Sequence, residues 1–148
     1  RAGLLAGLRQ GADLLNYFGH AGVVSLDHGL LSAADAAQLP EPEKWPLMLG
    51  MTCVMNRFEL PQYISLGEAL MVNPAGGAAA VWSSGGYSYD ASATVLNDAV
   101  LTALLQQRVP RLGDAIQAAL RLAATLPGPA PAGVYNLLGD PAASNLLQ

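Results

Sequence analysis

Compact apolar runs alternate with helix-like stretches along the chain. Ala12–Phe18, Pro46–Thr52, Ala78–Trp82 and Val134–Leu138 are largely apolar, short and punctuated by glycine or proline. Continuous apolar runs of this length read as strands buried on both faces. The intervening segments carry helix signals. Ala2–Gln10 reads as a helix end stopped by Gly11. Ser32 with Asp35 caps a short helix over Ala33–Leu39, and Ser65-Leu66-Gly67-Glu68 is a capping box opening a helix to about Val72. Val95, Leu96, Ala99, Val100, Ala103 and Leu104 keep helical spacing, as do Leu112, Ala115, Ile116, Ala119, Leu120 and Ala123. Asn56–Tyr63 reads as a polar loop and Pro127–Pro131 as a connector. Strands separated by helices predict βαβ units: an α/β fold with a mostly parallel sheet flanked by helices.

Composition sharpens that picture. The 148 residues suffice for one domain with a real core. They are 52% hydrophobic and only 12% charged, with a mean hydropathy of +0.32, which fits a sheet covered on both faces. The net charge is −4 and no basic cluster occurs, which argues against a nucleic-acid partner. No apolar stretch reaches the roughly 18 residues of a membrane-spanning helix. The richest, Ala69–Trp82, is cut by Asn73-Pro74 and Gly76-Gly77. The chain opens on Arg1 and enters a helix directly, which reads as a piece of a longer protein.

Two strand ends carry candidate chemistry. The second apolar run ends on Cys53, the sole cysteine, and the first ends on His20. Ligands in open α/β sheets bind outside the carboxyl ends of the strands. Parallel neighbouring strands would bring the two residues together there, and a histidine within reach can take the thiol proton to leave a nucleophilic thiolate. Each residue also has an unreactive reading, Cys53 as a small buried hydrophobe and His20 as a structural hydrogen-bonder.

Four blocks, in order, resemble the gingipain-like cysteine peptidases, peptidase family C25. They are Asn16-Tyr17-Phe18-Gly19-His20-Ala21-Gly22, Thr52-Cys53 followed by Phe58 and Ser65–Leu70, Asn73–Ala78, and Tyr135–Pro141. The resemblance implies a caspase-like sheet whose first strands precede Arg1, so that residues 1–148 are the C-terminal portion of one peptidase domain. It implies His20 as general base and acid and Cys53 as nucleophile in peptide-bond hydrolysis through a thioester. The oxyanion donors would be the Cys53 N–H and one from the loop at Ala21 and Gly22. No metal or organic cofactor is needed for that chemistry. A peptide or protein is the implied substrate and a secreted or surface location on a bacterium the implied compartment. The family favours glycine where this chain has Ala21, whose methyl would then point near the substrate, and a tryptophan common after the histidine is absent from Val23–His28. Other caspase-like families, the CHAT group among them, share parts of the pattern. A non-cleaving scaffold or peptide-binding domain is the rival reading, and a thioesterase a third.

The remaining polar residues carry less. Trp82 and Tyr87, after the third strand, would line a substrate pocket, with core packing an equal alternative for Trp82. Asp27 and His28 read as a solvated loop, Glu68 as the acidic half of its capping box, Asp90 and Asp98 as exposed helix positions, and Asp140 as a turn cap. Two histidines and one cysteine at these spacings match no standard zinc pattern.

Overall fold

The computed structural model describes residues 1–125, 133–145 and 147, so the connector at Pro127–Pro131 lies outside the described residues. Among the described residues four strands form one sheet in the order β1 (Leu14–Phe18), β2 (Leu47–Met51), β3 (Ala80–Ser84) and β4 (Tyr135–Leu138). The first three run parallel and β4 is antiparallel to β3, in agreement with a mostly parallel α/β sheet.

The side-chain period of two sorts each strand between two cores. Leu47, Leu49 and Met51 of β2, with Trp82 and Tyr135, face α4 (Asp90–Leu101), a following π-helical turn (Thr102–Gln106) and α5 (Leu112–Ala123). Met48 and Val81 face the other way. There they pack with α1 (Ala2–Gln10), α2 (Ala33–Ala36) and α3 (Leu66–Val72). Both faces of β2 and β3 are therefore buried, which is why their sequences lack an apolar–polar alternation. The edge strand β1 is only half-buried.

Both capping boxes form. The Ser32 hydroxyl accepts from the Asp35 N–H while the Asp35 carboxylate accepts from Ser32 N–H, and Ser65 and Glu68 repeat the arrangement. Gly11 closes α1 at φ 104°, a conformation open to glycine. α5 spans the expected residues, whereas α2 ends three residues early, at Ala36. The third strand is displaced from Ala78–Trp82 to Ala80–Ser84. Gly77, at φ 131°, lies against the Leu70 carbonyl, and Ala78 donates to that carbonyl, so the chain is still turning there. At the other end Ser83 and Ser84 stay in the buried strand because their hydroxyls find partners, Ser83 Oγ donating to Gly50 O at 2.6 Å and Ser84 Oγ to Gly86 O at 2.6 Å.

Asn56, expected in a polar loop, is instead fully buried. Its Nδ2 donates to Val81 O at 3.3 Å and Asn136 O at 3.2 Å, and its backbone N–H donates to Ser84 O. It stitches the chain after β2 to both following strands. Gly67 makes room for it: a Cβ there would stand 1.8 Å from Asn56 Oδ1.

Candidate active site

Strands β1 and β2 pair in register down to Phe18 opposite Met51, and the Gly19 N–H adds a rung to Met51 O at 3.3 Å. His20 and Cys53 each follow two residues beyond that last pair, on strands about 4.8 Å apart. The topology thus brings the two sequence candidates to equivalent positions at the carboxyl edge of the sheet.

The histidine end is built locally. Tyr17 folds back along its own strand, and its hydroxyl donates to His20 O at 2.7 Å. Gly19 permits this, since a Cβ would lie 2.8 Å from Tyr17 Oη. The Asp27 N–H also donates to His20 O, at 3.0 Å. The backbone is pinned while the side chain projects outward: His20 is exposed and its imidazole makes no hydrogen bond among the described residues. Ala21 is half-buried and packs against the core on the α1–α3 side. The Gly22 N–H is committed to Ser25 O at 2.9 Å, closing a tight turn. Ala21 and Cys53 donate no backbone hydrogen bond among the described residues.

The cysteine end is built from distant residues. Val54, immediately after Cys53, has φ 48°, a left-handed conformation that a β-branched side chain rarely adopts. Its N–H is held by Gly86 O at 2.9 Å, and the kink turns the chain away directly behind the thiol. Such strain persists only where surrounding contacts impose it, and it concentrates at functional sites. The half-buried thiol is bonded to one residue twice. The Ser88 N–H donates to Sγ at 3.4 Å and Sγ–H donates to Ser88 O at 3.6 Å. Ser88 Oγ is in turn 2.8 Å from Tyr135 Oη. Tyr135 is buried, its ring 5.5 Å from that of Trp82. Burial pushes the Tyr135 phenol above its ordinary value, the Ser88 bond pulls it down, and the charge of nearby Cys53 adds to the rise. No hydrogen bond joins His20 to Cys53 among the described residues; the thiol is bonded on the β3 side of β2, whereas His20 stands on the β1 side.

Trp82 is 1% exposed and belongs to the core, so packing against Tyr135 accounts for it and it offers no surface to a ligand. Tyr87 is 78% exposed, on the loop that carries Ser88. Asp27 and His28 sit on a solvated turn, 3.5 Å apart, and no group of three metal-ligating side chains occurs among the described residues. Asp140 Oδ1 accepts from Ala142 N–H, as a turn cap does. Sequence reasoning overlooked Ser88, for which nothing nearby gives a signal, and the roles of Tyr17 and Tyr135, which stand inside the family-like blocks.

No curated protein matches the sequence. Three solved chains share the fold. The crystal structure of the Arg-specific cysteine proteinase gingipain R (RgpB) superposes with a TM-score of 0.85 at 18% identity, over 95% of this chain and 35% of that one. A complex of Porphyromonas gingivalis RgpB pro- and mature domains gives 0.79 at 18% identity, over 95% and 36%. A structure described as a protease gives 0.77 at 20% identity, over 97% and 37%. The chain thus spans about a third of the length of these structures, and the caspase-like arrangement of a mostly parallel sheet between helices is common to them. The profile of Peptidase family C25 matches residues 1–145, nearly the whole sequence, and the chain belongs to that family.

Proposed function

We propose that this chain carries the nucleophile and the base of a cysteine endopeptidase, with Cys53 and His20 in those roles. The observation that supports the reading is the register: two residues of suitable chemistry each follow, two positions on, the last paired residues of neighbouring parallel strands. Rotation about the Cys53 Cα–Cβ bond swings Sγ from Ser88 toward β1. His20 then takes the thiol proton, and the thiolate attacks the carbonyl carbon of a peptide bond. The C–N bond breaks as the imidazolium returns that proton to the leaving amine. Water, deprotonated by His20, attacks the resulting thioester and expels the thiolate. The Cys53 and Ala21 amides, which have no backbone partner, are the donors available to the oxyanion, a role that Gly22 gives up to its turn. Exposed Tyr87 flanks the site for substrate contact. The substrate is a peptide or protein, and the compartment is extracellular or the cell surface.

A second reading rests on the thiol being bonded to Ser88 instead of His20: a scaffold that binds peptides and leaves them uncut. One experiment separates the two. In the full chain, an acyloxymethyl-ketone peptide probe labels Cys53, and labelling falls at least about tenfold in His20→Ala, the lower range of a lost general base. Labelling that is absent, or indifferent to His20, in a folded protein gives the case to the scaffold.

A further inference from the structure

We propose that Ser88 and Tyr135 act as a positioning pair for Cys53: the Ser88 peptide grips the thiol, and the Tyr135 hydroxyl fixes Ser88. The proposal rests on Cys53 being the nucleophile, but the grip itself is independent of any hydrolysis.

Three observations carry it. The thiol is held twice by the backbone of one residue, as acceptor from Ser88 N–H and as donor to Ser88 O. A thiol forms weak hydrogen bonds, so such a grip is as firm as the placement of the peptide that makes it. Next, the loop between β3 and α4 is fastened at its start, where Gly85 N–H donates to Val134 O and Gly86 O accepts from Val54 N–H. Beyond Gly86 it passes two strongly exposed rings, Tyr87 and Tyr89, before α4 begins at Asp90. In that stretch the side-chain tether is the 2.8 Å bond from Ser88 Oγ to Tyr135 Oη. Finally, the anchor is rigid. Tyr135 sits in β4 opposite Ser84, 6% exposed, with its ring against buried Trp82. Rigidity therefore passes from the sheet through one hydroxyl pair to the thiol. It holds the thiol on the side of β2 away from His20 until the loop shifts. Ser88 and Tyr135 are positioning residues: Ser88 sets where the thiol stands, and Tyr135 acts through Ser88.

Alkylation of Cys53 in the full chain tests this without reference to peptide cleavage. The rate of carboxamidomethylation by iodoacetamide is followed on the tryptic peptide Trp45–Arg57, which contains Cys53. Tyr135→Phe keeps the ring on Trp82 and removes only the hydroxyl, and Ser88→Ala removes the other half of the bond. Each variant should react about threefold to tenfold faster than the wild type, the factor a single net hydrogen bond represents. The double variant should react no faster than either single one, because both remove the same bond. Ser88→Thr, which restores a hydroxyl, should return the rate to that of the wild type. Unchanged rates in both single variants overturn the proposal, and so do additive effects or a Thr variant as fast as the Ala variant. Ser88 lies half-exposed on a loop, so its substitutions test the idea even if Tyr135→Phe unfolds the protein. The endopeptidase reading fails separately, through probe labelling indifferent to His20, and that result leaves the Ser88–Tyr135 measurement standing.

Discussion

The two strand ends of the site solve one problem in opposite ways. At the end of β1, His20 is held through its backbone by Tyr17, three residues away, and its side chain projects freely. At the end of β2, Cys53 is held through its side chain by Ser88, 35 residues away, which Tyr135 holds from 47 residues further on. The first end is a local device that a short peptide pattern can encode. The second exists only after β3 and β4 have joined the sheet. The integrity of the thiol's surroundings is thus tied to global folding more tightly than that of the imidazole.

Substitutions can break or sharpen this contrast. The largest effect is expected behind the cysteine. Gly67→Ala drives a Cβ onto Asn56 Oδ1, which is clamped between β3 and β4 and cannot move aside, at a cost of about 3 kcal/mol for forced repacking. Denaturant unfolding measures it. Against an Asn56→Ala background the same substitution should cost markedly less, since the obstructing oxygen is gone. Equal costs in the two backgrounds would contradict the steric account. On the histidine side, Tyr17→Phe should lower stability by only about 1 kcal/mol, one hydrogen bond. Under the proposed peptidase role it should slow peptide hydrolysis through a misplaced His20 while the alkylation rate of Cys53 stays unchanged. A change in that rate would show that the two ends are not built separately. Ser65→Ala removes the cap of α3, which lies behind both ends, and should cost about 1 kcal/mol by thermal or urea unfolding.

The smallest effect concerns pH. The hydrogen bond from the Ser32 hydroxyl, followed by that from Arg1, holds the Asp35 carboxyl below its ordinary value of 3.8. The folded state therefore binds this proton less readily than the unfolded chain. The stabilisation is complete above the ordinary value and is lost as pH falls below it through the folded value. The urea midpoint should drop less steeply over that acidic interval in Asp35→Asn than in the wild type.

How far the sequence can be read follows the same division. The capping boxes and α5 rest on spacings of a few residues, and the parallel order of the first three strands rests on the alternation of strand and helix signals, so these are visible in the chain alone. The boundaries of β3 are not, because whether Ser83 and Ser84 end a strand or continue it depends on the Gly50 and Gly86 carbonyls reaching their hydroxyls. Asn56 looks like a loop residue for a similar reason: the carbonyls that satisfy it come from β3 and β4. Ser88 is one serine in a stretch of glycines, serines and tyrosines, and it gains meaning only from Tyr135. Trp82 left two readings open, pocket and core, and the face of β3 on which it falls decides for the core.

The sheet also separates the site's supports between its two sides. Tyr17 and Ala21, beside His20, belong to the layer with α1, α2 and α3, whereas Trp82 and Tyr135, behind Cys53, belong to the layer with α4 and α5. Variation within α4 and α5 therefore reaches the Cys53 support through Trp82 and Tyr135, whereas α3 serves both ends, its Leu66 N–H donating to Val23 O in the loop after His20 and its Gly67 N–H to Met55 O after Cys53. The α4–α5 layer amounts to an adjusting screw on one of the two residues, so a lineage, or a designer, can retune the surroundings of Cys53, the proposed nucleophile, while the footing of His20, the proposed base, stays in place.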